Sequence, residues 1–188
     1  MLSPEERKTL LGIARETIQA ALSRDPRPQP VVDGEALKAP CGCFVTLKNQ
    51  GRLRGCIGTF GSRAPLYKTV IEMASAALRD PRFLDRPVTA EELPKIDIEI
   101  SVLTPLERIM DPMNEIELGR HGICIDGPLG SGCFLPQVAT ETGWSLEDFL
   151  SHCAAGKAGL PPDAWKWPEV AVYRFEAEVF GEEDFGGC

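Results

Sequence analysis

No run of about eighteen apolar residues occurs anywhere in this chain, which excludes a helix built to span a membrane. The opening residues, Met1-Leu2-Ser3-Pro4-Glu5-Glu6, have no basic segment followed by an apolar stretch, so no export signal is expected and the chain reads as cytoplasmic. Basic residues are in deficit. Twenty Lys and Arg against 28 Asp and Glu leave a net charge of -8, which repels nucleic acid and anionic membrane at long range. Neither is expected as a partner, although a local basic site could still hold an anion. Histidine is scarce, with His121 and His152 far apart, and no CxxC pair occurs. Cys41-Gly-Cys43 is the one close cysteine pair, so neither a zinc nor an iron–sulfur centre is expected. Seven cysteines without an export signal read as reduced thiols rather than a disulfide framework.

What is present suits a packed domain: 188 residues, 43% hydrophobic and 26% charged. The length favours one domain over residues 1–188, with a first half at roughly 40–104 and a second at 105–180. Ser3-Pro4-Glu5-Glu6 combines a serine N-cap, proline at the first helical position and a capping glutamate, and apolar residues from Leu10 to Leu22 recur at helical spacing. This predicts an amphipathic helix over 3–23. The proline-rich stretch 25–30 is a stiff extended linker. Phe44–Leu47 and Leu53–Phe60 read as two strands of a hairpin around a turn at 48–51. A helix is expected over 62–78, a one-turn helix at the capping box Thr89-Ala90-Glu91-Glu92, and a strand over 96–103. In that last strand Ile96, Ile98, Ile100 and Val102 alternate with Asp97, Glu99 and Ser101.

The second half repeats the order of strands, helices and a strand. Short strands are expected near 106–110, 122–126 and 132–135, helical segments near 137–141 and 146–155, and a final strand over 170–180. The fold class is therefore α+β, a largely antiparallel sheet flanked by helices, with two similar halves. Trp144, Trp165 and Trp167 suit packing, since basic–aromatic interleaving is missing.

The segment Leu53-Arg54-Gly55-Cys56-Ile57-Gly58-Thr59-Phe60 is unlike an ordinary buried strand. Alternation places Arg54 and Cys56 on one face. A guanidinium beside a thiol favours the thiolate, making Cys56 a candidate nucleophile with His121 as proton acceptor; the plain alternative is a small buried residue. Gly55 and Gly58 signal a bulge, a bend, or the close approach of a backbone or ligand. Arg54 needs a partner if buried, and Glu99 is the structural candidate; open to a cleft, it would bind a carboxylate or phosphate instead. Asp80-Pro81-Arg82-Phe83 is either a helix stop with a local Asp–Arg pair or a cleft wall offering Arg82. Gln137 either opens a helix or orients a polar ligand. Glu99 and Ser101, on the polar side of their strand, complete the candidate ligand-binding set, and no metal ligand is assigned.

These blocks, with Phe44-Val45-Thr46-Leu47, Ile98-Glu99-Ile100-Ser101-Val102-Leu103, His121-Gly122-Ile123, Leu135-Pro136-Gln137-Val138-Ala139 and Lys157-Ala158-Gly159-Leu160, resemble the AMMECR domain family, whose bacterial members are called AmmeMemoRadiSam system protein A. Leu53-Arg54-Gly55-Cys56-Ile57-Gly58-Thr59 is similar to its hallmark. The resemblance implies an α+β domain with two structural repeats and a smaller subdomain. It also implies a Memo-like protein and a radical S-adenosylmethionine protein as associates. It carries no settled activity and leaves the cofactor unknown. Cys41 and Cys43 depart from the family pattern. The expected function is a small-molecule enzyme or enzyme component with a cleft at the hallmark strand; a non-catalytic adaptor is the alternative.

Overall fold

The N-terminal residues build their helix as their capping signals require. In the computed structural model, which describes residues 1–186, α1 runs Pro4–Ser23, and Ser3 and Glu6 exchange the two bonds of a capping box. The chain divides into two units: one comprises Met1–Leu103 and the segment from Glu178 onward, the other Thr104–Ala177.

In the first unit α1 is followed by the one-turn α2 (Glu35–Lys38), then β1 (Cys43–Asn49) and β2 (Arg52–Thr59). Gln50 and Gly51 both take positive φ, 51° and 75°, so the hairpin closes in two residues and β1 extends through the expected turn to Asn49. α3 covers Leu66–Ala77, starting later than expected because Pro65 sits at its N-cap. β3 is Ile96–Leu103, antiparallel to the other edge of β1, giving the order β2-β1-β3. β2 is thus an edge strand of this unit. Val45, Leu47, Ile98 and Ile100 are fully buried, together with Leu10, Ala14 and Ile18 of α1 and Val70 and Ala74 of α3. The expected one-turn helix at 89–92 does not form. The segment stays a turn, with Glu92 N–H donating to the Thr89 carbonyl at 3.1 Å and hydroxyl at 3.3 Å, while the Glu92 carboxylate reaches Arg54 and Asn49, and a 3-10 turn at Leu93–Lys95 follows around Pro94. The segment from Glu178 is held to the N-terminus, the Glu178 carboxylate accepting from Leu2 N–H, just before α1, at 3.1 Å and from Arg7 Nε of α1 at 2.9 Å.

The second unit contains β4 (Glu107–Ile109), α4 (Pro112–Glu115), β5 (His121–Gly127), β6 (Gly130–Phe134), α5 (Pro136–Thr142), α6 (Leu146–Gly156) and β7 (Ala171–Gly181, its end belonging to the first unit). Its strands are antiparallel in the order β4-β7-β5-β6. Ile123, Ile125, Phe149, Leu150 and Trp165 are buried at its centre, with Trp144 and Trp167 packed at the margin. The tryptophans are packing groups, as their sequence context suggested. The α+β class with antiparallel strands is what the structure shows. Six cysteines are free thiols; Cys188 lies outside the described residues.

Candidate functional site

Register sets the chemistry of β2. Leu47 faces Gly55 and Lys48 faces Leu53, so Arg54 is an extra residue, a β-bulge. Beyond it Cys56 opposes Thr46, which opposes Glu99 on β3, and Gly58 opposes Phe44, which opposes Ser101. One polar row, Cys56–Thr46–Glu99, and a second that ends on Ser101 therefore cross the sheet on the face away from α1 and α3. Lys48 belongs to the same face and holds Glu99 at 2.8 Å.

Both glycines are explained by close approach. A Cβ at Gly55 would strike the carbonyl of Ala77 at the end of α3, a backbone atom that cannot turn aside. At Gly58 it would enter the Phe44 ring. Bare backbone at 55 lets α3 lie against the sheet, and bare backbone at 58 lets an aromatic ring cross the strand.

An edge strand exposes unpaired backbone groups, and this one is capped by side chains. Asp80, buried, accepts from Cys56 N–H at 2.9 Å through Oδ2 and from Arg82 N–H and Nε at 3.0 Å through Oδ1. Arg82 donates from Nη2 to Asp80 Oδ2 at 2.6 Å and to the Cys56 carbonyl at 3.2 Å. Both backbone groups of Cys56 are thus satisfied by one Asp–Arg pair. The guanidinium, the first cause, holds the Asp80 carboxyl down at about 2. The local Asp80–Arg82 pair foreseen in the sequence exists, with Cys56 as an unforeseen third member.

Arg54 corrects both earlier alternatives. Its partner is Glu92, bidentate through Nε–Oε1 at 2.7 Å and Nη2–Oε2 at 2.9 Å, and Nη2 also donates to the Arg86 carbonyl. Asn49 adds a third bond to Glu92, and Arg54 holds that carboxyl at about 2. Glu99 belongs to Lys48. Strand order is the reason: β1 lies between β2 and β3, so Thr46 and Lys48 of β1, rather than Arg54, adjoin Glu99.

The thiolate expectation fails as well. Burial, the largest cause, raises the Cys56 thiol; Thr46 Oγ1, donating at 3.2 Å, and Arg82 pull it down less strongly, and Asp80 and Glu99 oppose them. The cation acting on Cys56 is Arg82 rather than Arg54. At neutral pH the group is a protonated thiol beneath a threonine hydroxyl.

His121 and Gln137 belong to the second unit, whereas Arg54, Gly55, Cys56, Gly58, Arg82, Glu99 and Ser101 belong to the first. His121 opens β5, buried, with Nδ1 accepting from Glu117 N–H at 2.9 Å. That bond fixes the neutral tautomer with the proton on Nε2. Burial first, then Arg174 and Arg120, lower its pKa. Nε2 lies 3.8 Å from Glu176 Oε1. A ring already accepting at one nitrogen and protonated at the other is a hydrogen-bond donor, not the proton acceptor expected. It lines a pocket of about 230 Å³ with Arg120, Arg174, Glu107, Glu176 and Thr104. Gln137 sits half-buried in the first turn of α5, its carbonyl accepting from the Thr140 hydroxyl.

Sequence reasoning missed Glu92 and Thr46. Glu92 was read only as the acidic member of a capping box with Thr89, and that pattern carries no sign of Arg54, 38 residues away. Among the described residues no group of three or more His, Cys, Asp or Glu is arranged to hold a metal ion. No helix among them is long and apolar enough to cross a membrane.

The family model described as AMMECR1 matches residues 11–180. A protein of Methanothermobacter thermautotrophicus is 44% identical over 191 residues, covering 97% of each chain. One from Methanopyrus kandleri is 42% identical over 97% of this chain and 91% of its own. The crystal structure of an uncharacterized protein from Pyrococcus horikoshii superposes with a TM-score of 0.84 at 40% identity, covering 93% of this chain and 90% of that one.

Proposed function

This chain belongs to the AMMECR1 family, and on that premise we propose that it is a non-catalytic partner-binding module, presenting a fixed sheet surface rather than a reactive thiol. Cys56 supports this reading most. Its backbone is held at both polar groups by Asp80 and Arg82, and burial keeps its thiol protonated. Arg54, the other reactive-looking member of the hallmark, is occupied by Glu92. The surface offered is the face that carries Cys56, Lys48 and Glu99, beside the half-exposed Arg82. Charged groups of this kind govern recognition and association rate.

The family resemblance names the partners to try, a Memo-like protein and a radical-SAM protein from the same genome. Titration calorimetry of each against this chain is expected to show binding that survives Cys56→Ala and Cys56→Ser and weakens about tenfold in Lys48→Glu. Product formation by the mixture that stops with Cys56→Ser, in a variant whose circular dichroism is unchanged, would overturn the proposal.

A second reading, a small-molecule enzyme or enzyme component, is favoured by the His121 pocket. A neutral imidazole donating from Nε2, flanked by Arg120 and Arg174, suits a carboxylate or carbonyl. Titration of small carboxylic acids while following the His121 ring resonances tests it: saturable shifts favour this reading, and unmoved resonances leave the module.

A further inference from the structure

The β5–β6 hairpin carries two thiols that neither reading uses. Cys124 and Cys133 stand directly opposite each other in the antiparallel register. Residues so placed have Cα atoms about 4.5–5.5 Å apart, inside the ~4.4–6.8 Å span that a disulfide bridges without backbone movement. Their side chains point to the same face, and both are free. The hairpin is firmly seated, since the backbones at Gly130 and Gly132 lie against those of Ala158 and Lys157.

The pair is chemically unequal. Cys133 lies against Cys124 and favours its thiolate, so Cys124 is lowered and Cys133 raised. Cys124 is buried at 7% exposure and Cys133 is half-buried, so a small reagent reaches the pair from the side of Cys133. The nearby Cys153 of α6 donates to the Gly132 carbonyl at 3.4 Å, and burial pushes its thiol up to about 12, making it a poor competitor.

We propose that Cys124 and Cys133 form a redox-active dithiol that a hydroperoxide converts into a cross-strand disulfide. The Cys124 thiolate attacks the peroxide: an S–O bond forms, the O–O bond breaks, and the leaving oxygen takes a proton to depart as water or alcohol. Cys133, losing its proton, then attacks the Cys124 sulfenic sulfur; the S–S bond forms, the S–O bond breaks, and hydroxide leaves as water. Two thiols give up two electrons and one peroxide accepts them. A thiol or dithiol reductant restores the pair by exchange.

The test treats the reduced protein with limiting hydrogen peroxide, alkylates the remaining thiols, and digests at Asp126 and Asp148, which separates the three cysteines. The expected product joins the peptides of Cys124 and Cys133, forming roughly tenfold faster than modification of Cys43, Cys56 or Cys153. Cys153→Ala leaves the bridge unchanged, and Cys133→Ser accumulates a Cys124 sulfenic acid trapped by dimedone. The proposal is overturned if Cys124 and Cys133 remain alkylatable while other cysteines oxidise, or if either bridges to Cys153 instead. Should Cys133→Ser fail to fold, the wild-type map alone decides.

Discussion

Replacing Asp80 with asparagine tests the account of the hallmark strand most directly. The carboxylate accepts from Cys56 N–H and makes three contacts with Arg82 while itself buried. Its pKa falls from an ordinary 3.8 to about 2. Each unit corresponds to ~1.4 kcal/mol, so the charged form contributes about 2 kcal/mol to folding at neutral pH. A group whose folded pKa is depressed gives its stability above the unfolded value and loses it as pH falls through the folded one. The contribution is therefore full at pH 7, about half at pH 3 and nearly gone at pH 2. Asparagine keeps one acceptor but turns an amide towards the guanidinium of Arg82. The assay is urea denaturation of both proteins from pH 7 to pH 3. The variant is expected to be about 2–3 kcal/mol less stable at pH 7, and the gap should narrow on acidification. Glu92 titrates in the same window but is present in both proteins, so it cancels from the difference. A gap below about 0.5 kcal/mol at pH 7, or one unchanged down to pH 3, would refute the clamp.

Three further outcomes follow from the same geometry. Gly55→Ala is expected to cost about 2–4 kcal/mol by denaturant titration because the Ala77 carbonyl cannot yield, and Gly58→Ala a comparable amount, because a Cβ there meets the Cys43 carbonyl as well as the Phe44 ring, so that Phe44→Leu restores only part of the loss. A double-mutant cycle on Arg54→Ala and Glu92→Ala should give a coupling of about 1–2 kcal/mol, whereas the cycle on Arg54 and Glu99 should give none; the reverse ranking would restore the pairing with Glu99. His121, lowered by burial and by two arginines, is expected to titrate by NMR below its ordinary 6.5. Its neutral form then favours folding above about pH 6.5, and that stability is lost as pH falls below it, so a raised titration midpoint would contradict the Glu117 N–H bond.

Much of the architecture was legible in local signals. The α1 capping box, the hairpin, the alternation of β3 and the Ser145 cap of α6 are decided by residues within a few positions of one another, and each formed. Partnerships were not legible in the same way. Pairing of Arg54 with Glu99, one of the two alternatives, required β2 and β3 to be neighbours, and β1 lies between them. Cys56 was read from its sequence neighbour Arg54, but its thiol answers to Thr46 and Arg82, which arrive from another strand and from a turn 26 residues away.

The amino-acid order alone determined the longer helices and strands, that the class would be α+β, and that residues 53–60 were unusual enough to mark the family, while short elements such as the turn at 89–92 were settled by tertiary context. Period, caps and turn residues act over short range, so composition and spacing suffice to read them. Only the tertiary structure decided what the unusual residues do. Gly55 meets a helix carbonyl, Gly58 meets a ring, and the Cys56 backbone meets an Asp–Arg pair. Desolvation, close approach and ion pairing depend on which distant groups share a few ångströms of space, and that is fixed when the sheet and helices pack.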